Sequence, residues 1–372
     1  MRFLMLNWRD PKNPLAGGAE RVSLAYLADL VKRGHEACWF AYDFAGAARE
    51  ESIDGVRIIR GGGMGTSVVA ARRWFRQQDR FDLVIDQHHG IPWYAPSWCR
   101  TNCVAYIHEV LGPIWNSFYP WPLNWIGRFQ ERWTHWYYRK TPFFTGSVET
   151  RRLLHRHGVK DVSIVNYGTD VAALPALPPK PLESPLRLIV VSRLAPNKRI
   201  EHALATLVEL LARSIPANLT VVGSGEEERR LKRLASEMDI VDKVKFTGGL
   251  SEADKNAALQ EAHFILHTSQ REGWGLNVTE ANAMGTPGAV YPVGGLTEST
   301  WDERTGIVSR AETPASLASR IVDAVARPAD YQAWREAGWR RAKDLHWDNI
   351  LPRASDWFEA RARGESVTLD SR

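Results

Sequence analysis

Short apolar runs alternate with longer amphipathic stretches over most of the chain. Arg2–Asn7, Ala37–Ala41, Val56–Arg60, Leu83–Asp86, Cys103–His108, Phe143–Gly146 and Val162–Val165 have the length and apolar content of buried strands. Between them Ala19–Lys32, Val68–Gln78, Asn124–Arg139 and Val148–His157 repeat apolar positions at helical spacing. The alternation restarts with strands at Leu186–Ser192, Asn218–Val222, Val244–Thr247, Phe264–His267 and Gly288–Tyr291. Helices are expected at Glu201–Arg213, Glu226–Met238, Glu252–Ala262, Asn277–Ala283 and Pro314–Ala326. Strand–helix alternation of this kind predicts an α/β fold with doubly wound parallel sheets.

The two halves are separated by Leu174–Pro185, where five prolines fall within eleven residues. Such a run continues neither a helix nor an inner strand, so it reads as a linker. The expected division is 1–171, a linker over 172–186, and 187–344, followed by a helical tail. Ligands of open α/β sheets bind beyond the C-terminal ends of the strands. Two such domains facing one cleft suit a reaction that joins two substrates.

Composition narrows the class. The 372 residues are 24% charged and 44% hydrophobic, which is ordinary for globular domains. No apolar run approaches the ~18 residues a membrane span needs. The apolar start is broken at once by Trp8-Arg9-Asp10, so a strand is expected there rather than a signal peptide. Cys38, Cys99 and Cys103 cannot all pair and show no metal-binding spacing, so a reduced compartment without structural metal is expected. Residues 1–170 carry 22 Lys and Arg against 16 Asp and Glu, whereas the remainder carries 26 against 27. A basic first half suits an anionic partner, or is simply a modest surface surplus.

Four stretches carry candidate chemistry. Gly17-Gly18 follows the first strand and opens a helix, where amides can face an anion. Arg193 and Lys198 follow the strand Leu188–Val191 and can neutralise a diphosphate. Gly223 and Gly225 form a turn after the next strand. Glu272 and Glu280 flank the start of a helix closed by Gly285 and Pro287, with Gly273, Gly275, Leu276 and Asn277 at its N-terminus. The structural alternatives are a plain turn, a solvated basic loop, a second tight turn and a capped surface helix.

Taken in order, these motifs resemble the retaining family-4 (group 1) glycosyltransferases of GT-B fold. The resemblance covers about residues 1–345 and is sharpest in the second half. Ser147-Val148-Glu149-Thr150, Gly168-Thr169-Asp170 and Gly294-Gly295-Leu296 add to it. It implies two Rossmann-like domains, with a C-terminal helix over about 345–372 crossing back onto the first. It also implies transfer of a hexose from a UDP- or GDP-linked donor to an acceptor hydroxyl, without metal or other cofactor. Glu280 would hold the ribose and Glu272 the transferred sugar. Arg193 and Lys198 would meet the charge on the departing diphosphate. Gly17, Gly18, Gly223, Gly225 and the amides at 273–277 would line the nucleotide, and His108 would lie by the sugar. A satisfied strand-end histidine is the alternative for His108. Tyr167, Glu109, Trp274 and Asn277 depart from common family residues, and the last two would line the donor pocket.

Between Trp115 and Phe143 the chain interleaves aromatics, Trp115 and Trp121 among them, with Arg128, Arg132, Arg139 and Lys140. Val68–Arg80 repeats the theme with Arg72, Arg73, Trp74, Phe75, Arg76 and Arg80. Aromatic bodies with basic tips suit a membrane–water interface or a lipid-linked glycan acceptor. The alternative is a helix packing its aromatic face on the sheet. No recognisable nucleic-acid module accompanies them. The expected location is therefore cytoplasmic, at the inner face of a membrane. His88 and His89 are acceptor-side candidates, and Asp10 and Glu109 are where a base would be sought if the reaction inverted. A non-catalytic GT-B binding subunit and a nucleotide-sugar epimerase are the competing functions.

Overall fold

The computed structural model describes residues 1–88, 91–112 and 115–370. The chain forms two compact units, Met1–Gly168 with Trp347–Arg372, and Thr169–His346.

Unit 1 is built on eight strands: β1 (Arg2–Leu6), β2 (Glu36–Ala41), β3 (Glu50–Ile53), β4 (Val56–Arg60), β5 (Leu83–His88), β6 (Asn102–Ile107), β7 (Phe143–Thr145) and β8 (Val162–Ile164). Their spatial order is β3-β4-β2-β1-β5-β6-β7-β8. All neighbours run parallel except β3 and β4. Phe3, Leu4, Met5 and Leu6 are all fully buried, as expected of a strand covered on both faces. The edge strand β3 is absent from the sequence expectation. It turns into β4 through Asp54 and Gly55, both at positive φ, the geometry of a two-residue hairpin.

Helices α1 (Gly18–Lys32), α2 (Ser67–Phe75), α3 (Trp115–Phe118), α4 (Leu123–Tyr137) and α5 (Val148–Arg156) complete this part of the unit. On α2 the aromatics turn inward: Trp74 lies 5.5 Å from Phe40 and Phe75 lies 5.6 Å from Phe81, ring centre to ring centre.

Unit 2 carries a parallel six-stranded sheet of β9 (Leu186–Val191), β10 (Ala217–Val222), β11 (Val244–Gly248), β12 (Phe264–His267), β13 (Gly288–Val290) and β14 (Gly306–Val308). The order is β11-β10-β9-β12-β13-β14, so the winding reverses between β9 and β12. Helices α6 (Ile200–Ala212), α7 (Glu228–Glu237), α8 (Glu252–Glu261), α9 (Leu276–Ala283), α10 (Gly294–Ser299), α11 (Pro314–Val325) and α12 (Pro328–Asp344) connect and cover it. The last helix, α13 (Trp347–Ala362), belongs to unit 1. Its Phe358 meets Tyr26 and Phe144, and Arg361 pairs with Asp161 at 2.8 Å.

The proline-rich stretch is not a free linker. The units divide at Gly168/Thr169, and residues 172–186 lie on unit 2. Leu174 N–H donates to Ala283 O, and Arg335 donates to Pro178 O at 2.9 Å. Lys180 is buried and donates to Thr286 Oγ1 and to the carbonyls of Ala262 and Gly285. Prolines bring extended backbone without N–H groups that need partners, which suits a strap laid over a finished core.

Asp10 and Arg60 form a fully buried fork in unit 1, at 2.7 and 2.8 Å, with Glu51 on the outer side of the guanidinium. Removing one partner strands the other charge in the core. Arg60→Met should cost about 3–5 kcal/mol in denaturant unfolding; a loss within experimental error would contradict this account of the pair.

Candidate functional site

The two loops leaving β9 and β12 emerge side by side, because the winding of unit 2 reverses between those strands. This is where an open α/β sheet leaves a crevice. The first loop, Ser192–Arg199, ends in a short helical turn at Pro196–Lys198. The second, Thr268–Gly275, leads into α9.

Hydrogen bonds to backbone carbonyls lace them together. Gln270 N–H donates to Asn197 O at 2.9 Å, and Thr268 Oγ1 donates to Arg199 O at 2.9 Å. Arg199, held at φ 48° between the turn and α6, donates to the carbonyls of Thr268 and Ser269 and pairs with Glu312 at 2.7 Å. At the start of α9, Asn277 Nδ2 donates to Val191 O at 2.7 Å. From the far side Gly295 N–H donates to Glu272 O at 3.1 Å. A Cβ on Gly295 would sit 2.4 Å from the backbone of Gly273 and Trp274, so only glycine permits this brace.

Lacing brings Lys198 Nζ to 2.6 Å from Glu272 Oε2, with His267 Nε2 at 3.4 Å from the same oxygen. Burial disfavours the Glu272 carboxylate, but the Lys198 ammonium outweighs it and holds its pKa below the usual range. Burial pushes the neighbouring His267 down to about 4, so it is neutral at physiological pH. Arg193, in the same first loop, is exposed and has no ion pair among the described residues. Glu280 is buried one turn into α9, where Lys255 takes its Oε2 at 2.9 Å and also pairs with Glu252. The amides of Leu276 and Asn277 are first-turn donors with no intrahelical acceptor.

The structure thus joins Lys198 to Glu272 and places Arg193, Glu280 and the N-terminus of α9 in the same unit. Lys255, Arg199 and His267 are site residues that sequence reasoning missed. An i,i+3 pair of Glu252 and Lys255 was visible, but its reach to Glu280 is tertiary.

A Cβ on Gly223 would lie 1.9 Å from Ser192 O, and one on Gly225 2.3 Å from Leu194 O. These glycines let two loops touch, through Leu194 N–H to Ser224 O at 2.9 Å. Trp274 is buried, its indole donates to Thr279 Oγ1, and the Arg341 guanidinium lies 5.7 Å from its ring.

Unit 1 carries its own candidates. The Gly17 N–H is already taken by Glu20 Oε2 at 2.7 Å, which leaves Gly18 as the remaining glycine of the pair. His108 has both ring nitrogens occupied, Nδ1 by Tyr167 Oη at 2.7 Å and Nε2 by the Gln87 amide at 3.0 Å. Because Ser23 Oγ donates to Gln87 Oε1, the Gln87 NH2 group faces His108, and Nε2 is the accepting nitrogen. Room for the Tyr167 ring comes from Gly146, where a Cβ would stand 2.3 Å from it.

His88 is not an open acceptor contact. It is buried against Tyr138 and Phe143, and burial lowers it to about 3. His89 lies outside the described residues. Asp10 is locked to Arg60 and is unavailable as a base. Trp115 is half-buried over Gly127, whereas Trp121 is exposed.

Because the Glu272 pKa is depressed in the folded chain, the pair's contribution is full at neutral pH and is lost as pH falls through the folded value. Lys198→Met should cost about 1–3 kcal/mol at neutral pH, and the difference from wild type should shrink on acidification. A pH-independent difference in unfolding free energy would contradict the pairing.

Comparison with known proteins follows this geometry. The model described as "Glycosyl transferases group 1" matches residues 178–341, and "Glycosyltransferase Family 4" matches residues 16–173. Glycogen synthase of Mycobacterium tuberculosis is 28% identical over 209 residues, covering 56% of this chain and 50% of that protein. A GDP-mannose-dependent alpha-(1-6)-phosphatidylinositol monomannoside mannosyltransferase of the same species is 28% identical over 186 residues, 46% of each. The chain thus spans about half the length of these relatives. Sucrose-phosphate synthase from Thermosynechococcus elongatus superposes with a TM-score of 0.80 at 19% identity, over 98% of this chain and 100% of that one. Anabaena HepE in complex with UDP-glucose gives 0.74 at 16% identity, over 97% and 100%. With the two family models together matching most of its length, the chain belongs to the group 1, family 4 glycosyltransferases and has the GT-B fold.

Proposed function

We propose that this chain transfers a hexose from a UDP- or GDP-linked donor to a hydroxyl of a glycan or lipid-linked acceptor, with retention at the anomeric carbon. The observation that carries the reading is the Lys198–Glu272 contact at 2.6 Å, set at the strand reversal of unit 2 beside the start of α9. Solved structures that share the fold include one with UDP-glucose bound, which supports a nucleotide-sugar donor.

Breaking the sugar–phosphate bond leaves an oxocarbenium-like carbon and a charged diphosphate. Arg193 and Lys198 supply fixed positive charge where that negative charge grows, and the amides of Leu276 and Asn277 add donors. These groups serve in place of a metal ion. Glu280 keeps Oε1 for a ribose hydroxyl while Lys255 holds Oε2. Glu272, released from Lys198 as the diphosphate takes over that ammonium, accepts hydroxyls of the transferred sugar. The acceptor oxygen then attacks on the face the diphosphate leaves, a phosphate oxygen takes its proton, and the configuration is kept. The chain acts at the cytoplasmic face of a membrane, on an acceptor presented there.

Glu280→Ala should weaken UDP or GDP binding about tenfold or more, because a charged acceptor for hydroxyls is lost. Arg193→Ala should chiefly lower kcat, since the charge it meets develops in the transition state. Calorimetric titration and transfer assays over a panel of donors separate the two. Variants indistinguishable from wild type in both would refute the assignment.

A further inference from the structure

Helix α4 is built inside out. Its inward positions are Gly127, Glu131, Thr134 and His135, followed by Tyr138. These recur at helical spacing, yet most are polar. Each polar group finds a partner in unit 1: Glu131 accepts the N–H groups of Leu111 and Gly112 at 2.7 and 2.8 Å, and His135 Nδ1 meets His157 Nδ1 at 2.6 Å. The outward face carries the apolar residues instead. Trp125, Phe129 and Trp136 are 64, 61 and 55% exposed, with Ile126 and Trp133 beside them. Spacing of four and seven residues from Trp125 to Phe129 and on to Trp136 lays them along one line of a helix about 22 Å long. A surface helix ordinarily turns its apolar stripe to the core. A contiguous exposed aromatic stripe marks an interaction site.

Charge identifies the occupant. Arg128 and Arg132 are exposed along the same face, and Arg139 and Lys140 follow at its end, with the Arg139 guanidinium 4.3 Å from the Trp136 ring. The only acid between Trp121 and Lys140 is Glu131, and it points inward. A second copy of the chain, joined by a two-fold axis through this face, would set these cations against each other. An anionic bilayer surface instead matches both features, since tryptophan and phenylalanine enter the headgroup boundary and arginine reaches phosphate. Helix α2, also aromatic and basic in sequence, lacks this character because Trp74 and Phe75 pack inward.

We propose that the outward face of α4 docks unit 1 on an anionic phospholipid surface, lying in the interface plane. The proposal rests on the reading that the acceptor is presented at a membrane, and it names the surface that makes the contact.

The test uses the full chain, mixed with vesicles of phosphatidylcholine alone and with vesicles in which phosphatidylglycerol replaces part of it. The chain should sediment with the anionic vesicles, its tryptophan emission should shift to the blue, and added salt should weaken the association. A Trp125→Ser, Phe129→Ser double variant and an Arg128→Glu, Arg132→Glu double variant should each lower partitioning about tenfold or more. Arg72→Glu with Arg73→Glu on α2 should lower it less than the α4 charge reversal does. These side chains are exposed, so thermal midpoints and the shift produced by UDP should stay at wild-type values. Absence of vesicle binding, equal partitioning of wild type and the α4 variants, or a dimer dissolved by the same substitutions would overturn the proposal. A UDP or GDP shift retained in any of those cases leaves the donor-site reading standing, whereas absence of both shifts in wild type counts against that reading alone.

Discussion

The candidate chemistry of unit 2 depends on two loops that cannot move independently. Asn197, Arg199, Thr268 and Gln270 tie the segment after β9 to the segment after β12, the Gln270 amide, the Thr268 hydroxyl and the Arg199 guanidinium each donating to a backbone carbonyl of the other loop. The ammonium of Lys198 and the carboxylate of Glu272 meet because their main chains are already sewn together. Ordering is therefore contributed by folding rather than by the ligand, and this preorganisation is what electrostatic stabilisation of a transition state requires. Without a ligand the two charges neutralise each other. In the proposed reaction a diphosphate entering the crevice would offer Lys198 a stronger counter-ion and leave Glu272 to accept hydroxyls.

Unit 1 follows a different economy of polar groups. Asp10, Arg60, Glu20 and Gln87 are buried and spent on internal partners. His108 is held at both nitrogens, so its ring is oriented even where it does no proton transfer. Tyr167, a departure from the family pattern, supplies one of those partners.

Much of the architecture was legible in the sequence because strand and helix periods differ so clearly. The β3 edge strand was missed, although Asp54-Gly55 is a recognisable hairpin turn. The glycines at 223 and 225 were legible as close-approach positions, but composition does not say what approaches; the answer is the backbone of Ser192 and Leu194. In α4 the helical period separated two faces without saying which one turns inward. That was decided by acceptors and donors elsewhere in unit 1, namely Leu111, Gly112 and His157. The pairing of Lys255 with Glu280 joins residues of two different helices, so no local pattern announces it.

The most direct measurement is a crystal structure of the chain with an intact nucleotide-diphosphate sugar. The account predicts Lys198 Nζ on a diphosphate oxygen, the Lys198–Glu272 contact parted, and the ribose hydroxyls on Glu280. A nucleotide held elsewhere, with Lys198 and Glu272 still joined, would contradict it.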